Sequence, residues 1–288
     1  PPAFHPDQPP LDLPELNPSQ NEAVRAILAS RHFALVHGPP GTGKTTTLVA
    51  AIRQLVKSEA TVLVTAPSNA ATDLLTLRLA RAGLQVVRVG NIGRVDEEII
   101  RYTLDAQAAD HPDSKHIKKV KLQAADHRRK SAKYRHRRDR EGRNKRYQHR
   151  REARELSAWA NQLEDRLVDM LLTGAQVITC TLVGAAHPVL KNFRFRTLVI
   201  DEAAQALEPA CWIPIAKASR VVMAGDPFQL PPTIKSTAAA KGGLGVTLLE
   251  KCLQRFPEKH LLKVQYRMHR QIMDFSNERF YEGSLEAD

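Results

Sequence analysis

Gly38-Pro39-Pro40-Gly41-Thr42-Gly43-Lys44-Thr45, followed by Thr46, is the stretch on which the fold of this chain turns. It follows the apolar run 33–37 (FALVH) and opens a helical stretch, Thr45–Lys57, so it reads as strand, G-x-x-x-x-G-K-T, helix. In that context the glycines let backbone N–H groups turn inward around phosphates, and the helix N-terminus adds its partial positive charge. Lys44 can then reach the β- and γ-phosphates of a nucleoside triphosphate, and the Thr45 hydroxyl can ligate Mg²⁺.

Outward from this loop, short unalternated apolar runs recur at 61–66, 86–89, 176–180, 197–200, 219–224 and 261–264. Runs of that kind suit strands buried on both faces. Helical stretches at Asn69–Ala82 and Arg267–Phe280 stand beside them, which predicts an α/β fold, a parallel sheet with helices on both faces. The run 197–200 ends in Asp201-Glu202, so two acids arrive at the same sheet edge as the phosphate loop. Asp201 is placed to hold Mg²⁺ through water, and Glu202 to polarise an attacking water. Such a site hydrolyses nucleoside triphosphates by positioning and charge neutralisation. Taken alone, the Asp-Glu pair could equally cap a helix.

The alternation stops near residue 91 and resumes near 176. Between Ser114 and Thr173 there is no proline and one glycine, Gly142, which predicts two helices, 114–140 and 145–172, turning at that glycine. Leu156, Trp159, Leu163, Leu167 and Met170 predict the second helix's packing stripe, with Trp159 in the core. Residues 115–155 hold 18 Lys/Arg against five Asp/Glu, whereas the rest of the chain holds 25 against 26. The whole excess of +12 therefore belongs to this hairpin. Such a block reads as a polyanion-binding arm, with Arg137, Arg138 and Arg140 as candidate phosphate contacts. A solvated helical face and a docking arm for an acidic protein are the other readings.

Composition narrows the rest. No run of about 18 apolar residues offers a membrane-spanning helix. The N-terminal residues lack the basic start and apolar stretch of a secretory signal. Three scattered cysteines, Cys180, Cys211 and Cys252, suit a reducing compartment, so the cytoplasm is expected, with the nucleus as a further possibility given the basic run 135–140. Six prolines in the first 14 residues predict an extended linker over 1–15. The organisation expected is thus linker 1–15, first lobe part 16–90, inserted helices 91–175, and second lobe part 176–288.

Five further segments separate a motor from a simple ATPase. Leu16-Asn-Pro-Ser-Gln20 resembles a Q motif, and Pro67-Ser68-Asn69 with its neighbours resembles motif Ia. Thr179-Cys-Thr181 resembles the next backbone-contacting motif, Gly225-Asp226-Pro-Phe-Gln229 motif III, and Gln265-Tyr266-Arg267-Met-His269 motif IV. The spellings GPPGTGKT, APSN, DEAAQ, GDPFQLPP and QYRMH make the chain similar to the Upf1-like branch of superfamily 1 helicases from about Leu16 to Leu285.

That resemblance implies a RecA-like P-loop lobe carrying a helical insertion, and an ATP-driven helicase or translocase moving 5′ to 3′ on single-stranded RNA or DNA. It implies that Gln20 reads the adenine edge and Tyr266 lies near the base. Gln229 and Arg267 would face the γ-phosphate, while Pro67, Ser68, Asn69, Thr179 and Thr181 would grip nucleic acid. It also implies a second RecA-like lobe with an arginine finger beyond these residues, and a monomeric motor. Nucleotide binding with weak or absent hydrolysis is then expected of these 288 residues alone. A nucleotide-gated clamp that holds single strands without moving is the alternative.

Overall fold

The structure, a computed structural model, describes residues 11–90, 97–134, 139–256 and 259–288. Contacts divide the chain into two compact units, one running to Tyr102 and resuming at Ala175, the other Thr103–Gly174.

The first unit is built on a seven-stranded parallel sheet. Its strands are β1 (Phe33–His37), β2 (Val62–Ala66), β3 (Val86–Arg88), β4 (Val177–Thr181), β5 (Phe195–Ile200), β6 (Ala218–Gly225) and β7 (His260–Leu261), in spatial order β3-β4-β2-β5-β6-β1-β7. Every residue of β2 is buried, as are the first four of β4. Successive strand side chains point to opposite faces, so unbroken burial means that both faces are covered. Helices α1 (Pro18–Ala29), α2 (Lys44–Leu55) and α3 (Asn69–Arg81) contribute Val24, Ile27, Leu48, Ile52, Leu75 and Leu79 to the main core, and all six are essentially inaccessible. Asn17 starts α1 with a reciprocal capping box to Gln20, and Ser68 caps α3 by accepting the Ala71 N–H.

All seven apolar runs pair in the sheet, but the last divides. His260–Leu261 pairs with β1, and Leu262 donates its N–H to the His37 carbonyl. Val264–Gln265 (β8) then leaves to pair with Glu286–Ala287 (β9). The linker reading stops at Leu11. Leu11 and Leu13 pack on the core, and Asn21 clamps the segment by accepting the Leu13 N–H at 2.8 Å and donating to the Leu13 and Leu16 carbonyls at 3.0 Å. The prolines hid an apolar Leu-x-Leu pair; residues 1–10 lie outside the described residues.

An ionic cluster around Glu59 is sunk into this unit. The Arg220 guanidinium meets the Glu59 carboxylate, which is 1% exposed, and donates to Thr197 Oγ at 2.8 Å and to the Ser30 carbonyl at 3.0 Å. The hydroxyl of Thr197 in turn donates to Glu59 at 2.9 Å.

The second unit comprises α4 (Leu104–Asp110), α5 (Asp113–Lys133) and α6 (Arg140–Gly174). It begins at Thr103 rather than 91, because the short 3-10 segment Glu97–Tyr102 belongs with the sheet. Gly142 is not the turn: it is a buried residue inside α6. The packing seam also differs from the expected stripe. Ala153, Ala160 and Leu167, seven apart, are buried, whereas Trp159 and Met170 are exposed and Trp159 lies against His116. Opposite them on α5 are Ile117, Val120, Ala124 and Ser131. Two antiparallel helices packed chiefly along each other bury a narrow heptad seam, and alanines there permit close approach. A search for large apolar residues steps over such alanines.

Candidate active site

The phosphate loop takes its shape from two left-handed glycines, Gly41 (φ 78°) and Gly43 (φ 77°). A Cβ on Gly43 would fall 2.4 Å from Gln20 Nε2, and one on Gly41 2.7 Å from Arg267 Cβ. Gly38 donates to the Gly225 carbonyl at 3.0 Å, and the Thr42 hydroxyl closes on the Pro39 carbonyl at 2.8 Å. Pro39 and Thr42 are buried, Pro40 and Thr45 half-buried, and Thr46 exposed. Gly43 is the N-cap of α2 and has no side chain to cap it, so the first turn of α2 presents its N–H groups to whatever sits in the loop.

At the end of β5 the two acids meet the lysine. Lys44 Nζ lies 2.9 Å from Glu202 Oε1 and 3.9 Å from Asp201 Oδ1, with the lysine side chain 10% exposed. Glu202 reaches it from a left-handed backbone (φ 52°), a conformation that costs a non-glycine residue about 1–3 kcal/mol and is kept where function needs it. The Glu202 N–H donates to Asp201 Oδ1 at 2.8 Å.

Burial pushes the Asp201 carboxyl up to about 6, assisted by the neighbouring Glu202 charge and opposed by Lys44 and the Glu202 N–H. Folding thus favours its protonated form. That contribution to stability is complete below the ordinary value of 3.8 and is lost as pH rises through about 6. The Mg²⁺-holding role expected of Asp201 requires its ionised form, so Mg²⁺-dependent nucleotide affinity is expected to fall about tenfold per pH unit below about 6. Titrations of an ATP analogue from about pH 5 to 8 check this; Asp201→Asn should remove the dependence, and an unchanged slope in that variant would refute it.

Segments distant in sequence close the site. The Tyr266 N–H donates to the Gly41 carbonyl at 2.9 Å, and Asn17 Nδ2 donates to the Tyr266 hydroxyl at 2.9 Å. Gln265, 1% exposed, holds the turn by accepting the Arg267 and Met268 N–H groups at 2.9 and 2.8 Å. Tyr266 and Arg267 remain exposed. Gln20 is buried and serves the protein first: it accepts the Asn17 N–H at 3.1 Å and donates to the Thr42 carbonyl at 3.0 Å. Gln229 donates to Asp226 Oδ2 at 2.9 Å.

Asp226 is not marked as a site residue by its sequence context, yet it organises this side. Its Oδ2 also accepts from the Tyr281 hydroxyl at 2.7 Å, while its Oδ1 accepts the Phe228 N–H at 3.2 Å and lies 3.0 Å from His37 Nε2. Burial pushes the Asp226 carboxyl up, but bonds from His37, Tyr281, Gln229 and Phe228 outweigh that and hold it below the usual carboxylate range. No local pattern links residues 37, 226 and 281: sheet pairing sets His37 beside Gly225, and Tyr281 arrives at the end of the helix Arg270–Phe280.

The candidate nucleic-acid residues fare unevenly. Ser68 is exposed but caps α3, and Pro67 and Asn69 are half-buried. Asn69 Oδ1 accepts from the buried Arg88, which also pairs with Asp73 at 2.9 Å. Thr179 must be withdrawn as a surface contact, because it is fully buried and its hydroxyl is 2.7 Å from that of Thr76. Thr181, at the strand end, is half-buried and accepts the Gly184 N–H at 3.0 Å. In the second unit Arg140 is exposed at the start of α6; Arg137 and Arg138 lie outside the described residues. A groove in the same hairpin is lined by Arg128, Arg146, Arg150 and Arg154, and sequence reading misses it because its arginines come from both helices.

A family model described as an AAA domain matches residues 15–237, and a second of the same description matches 244–288. The chain is 39% identical over 282 residues to the DNA-binding protein SMUBP-2 of Rattus norvegicus, covering 94% of this chain and 28% of that protein. It is 36% identical to the ATP-dependent helicase upf1 of Schizosaccharomyces pombe, covering 99% and 30%, and 34% identical to an uncharacterized ATP-dependent helicase of Methanocaldococcus jannaschii, covering 95% and 46%. It therefore spans less than half the length of each of these relatives. Among solved structures, an arterivirus nonstructural protein 10 helicase in complex with DNA matches at 17% identity and a TM-score of 0.44, covering 91% of this chain and 42% of that one. With a phosphate loop and paired acids at one edge of the sheet, Gln265-Tyr266-Arg267 bonded to that loop, and the AAA-domain models spanning most of its length, the chain belongs to the Upf1-like branch of the superfamily 1 helicases.

Proposed function

We propose that this chain is the ATP-binding first motor lobe of a helicase or translocase that moves 5′ to 3′ on single-stranded RNA or DNA in a reducing compartment, cytoplasmic or nuclear. The observation that carries the proposal is Lys44 held 2.9 Å from Glu202 and 3.9 Å from Asp201, beside a helix N-terminus that no side chain caps. A lysine and a ring of N–H donors suit a triphosphate, and a buried carboxylate whose ionised form burial disfavours suits a divalent cation. The residues present therefore fit Mg²⁺–ATP. Gly38 to Thr46 would cradle the phosphates, Thr45 and Asp201 would hold the metal, and Gln20 and Tyr266 would flank the base. When bound, the metal would supply charge neutralisation at the phosphates.

The chain's own residues do the rest. Lys44 exchanges its carboxylate partners for phosphate, which frees Glu202 to orient water and accept its proton. Gln229, tethered to Asp226, and Arg267, beside Gly41, report the γ-phosphate to the rest of the lobe. A second RecA-like lobe would complete the site with an arginine finger. Such a finger is worth about 10³–10⁵ in rate in related reactions. Nucleic acid meets the exposed loop around Ser68, the end of β4 near Thr181, and, separately, the basic hairpin.

The test is phosphate release by the full-length protein with and without single-stranded RNA and DNA, together with strand displacement on 5′- and 3′-tailed duplexes. Turnover stimulated by single strands and displacement from the 5′ tail support the reading. Tight nucleic-acid binding without turnover would instead show a clamp. In the hairpin, Arg146→Ala with Arg150→Ala and Arg154→Ala should weaken oligonucleotide binding. On single strands the salt slope should fall by about 0.7 for each phosphate that is no longer neutralised. An unchanged slope would remove the groove from the interface.

A further inference from the structure

Half-way along the hairpin the packing seam carries a polar cluster that neither nucleotide chemistry nor phosphate binding uses. His127 of α5 stands in the seam series of Ile117, Val120, Ala124 and Ser131, where an apolar side chain would otherwise complete the contact. Facing it on α6 are His149 and Glu152, three residues apart and so on one helix face. Three donor atoms converge there. His127 Nδ1 and His149 Nδ1 are 3.3 Å apart, His149 Nδ1 is 3.2 Å from Glu152 Oε2, and His127 Nδ1 is 2.6 Å from the same oxygen.

These separations have a chemical meaning. A tetrahedral zinc ion with Zn–N and Zn–O bonds of about 2.0–2.1 Å sets neighbouring donor atoms about 3.3–3.4 Å apart. Two edges of the triangle already have that length, and the third opens to it by a small swing of the Glu152 carboxylate. The carboxylate is also oriented from behind, because Gln148 Nε2 donates to Glu152 Oε1 at 3.1 Å and leaves Oε2 turned toward the imidazoles. The Tyr134 ring stacks on His149 with centroids 6.0 Å apart. Outer contacts of this kind fix ligand geometry in metal sites. The three side chains are 25%, 22% and 32% exposed, which leaves an entry path and a fourth position open to water.

We propose that His127, His149 and Glu152 form a site for zinc or a similar late first-row divalent cation, which rivets the two helices of the basic hairpin together. Two imidazoles and one carboxylate are the donor set such ions prefer over the harder magnesium and calcium. A cross-link at this level binds residues from both helices in one coordination sphere and so opposes their separation. The surrounding arginines and lysines repel a dication, so the donor geometry has to supply the affinity.

The experiment is a zinc titration of the intact chain against a chromophoric chelator, with Co²⁺ as a spectroscopic probe. Wild type should take up one zinc per chain at this site and give the intense visible bands of four-coordinate Co²⁺. His127→Leu and His149→Leu, which fill the seam with apolar groups, should keep their helix content and lose that equivalent and those bands. Gln148→Ala, which touches only the far oxygen of Glu152, should weaken zinc binding about 10-fold or more. Uptake and Co²⁺ spectra unchanged in the leucine variants, or no zinc bound by folded wild type, would overturn the proposal and leave a hydrogen-bonded His-Glu-His contact.

Discussion

Replacing Glu202 by glutamine is expected to slow phosphate release by about 10²–10⁴-fold while leaving ATP bound at least as tightly as before. The two effects separate because Glu202 has two jobs in the nucleotide-free site. In the proposed mechanism it is the base for water, and without nucleotide it is the nearest partner of Lys44, at 2.9 Å. A neutral amide keeps the shape, loses the base, and relaxes the hold on the lysine, so phosphate competes with a weaker partner. Lys44→Ala should behave in the opposite way, losing nucleotide affinity first, because the cation that phosphate seeks is gone. Fluorescent-nucleotide titrations beside phosphate-release assays on both variants check the contrast. If Glu202→Gln lost affinity as severely as Lys44→Ala, Glu202 would belong to the binding cradle and not to the chemistry.

The second large effect concerns stability. Arg220→Ala should cost about 3–5 kcal/mol, because it leaves the Glu59 carboxylate, 1% exposed, with only the Thr197 hydroxyl and the solvent-exposed Arg196, 3.8 Å away, for partners. For a chain of this size that is a loss of about 6–20 °C in Tm. Removing both charges, as Arg220→Met with Glu59→Leu, should recover only part of it. Buried pairs are often replaceable by apolar residues. This arginine, however, also donates to the carbonyls of Ser30, Leu28 and Ile27 at the end of α1, and those acceptors would lose their donor. Denaturation midpoints of the two single variants and the double variant decide it. Full recovery in the double variant would mean that the α1 contacts contribute nothing.

The sheet was legible because its strands are short, continuous and β-branched, and because the phosphate loop states its own context. The loop, Lys44, Asp201 and Glu202 were legible for the same reason: they sit at strand ends, and strand ends are readable. Asp226 and Gln265 were harder to read, since each acts through partners that only folding supplies, Tyr281 and His37 for one and the Arg267 backbone for the other. Thr179 shows the opposite error. A motif fixed its neighbourhood, but strand pleat decided which way its hydroxyl faced, and it faced Thr76. In the hairpin, charge and helix content were plain, while the seam was hidden because alanine carries little hydropathic weight and Gly142 looked like a turn.

The approach of Gly41 to Arg267 has a consequence for inheritance. A side chain at position 41 would collide with Arg267, and the Gly41 carbonyl is the acceptor for the Tyr266 N–H, so each segment is the mould in which the other is cast. Residues 41 and 265–267 can therefore drift only in concert. A chimera whose single crossover falls between them joins a loop from one parent to a turn from another, and the mismatch lands on the phosphates. Exchanges that carry both segments together, or that swap only the Thr103–Gly174 insertion, leave that mould unbroken.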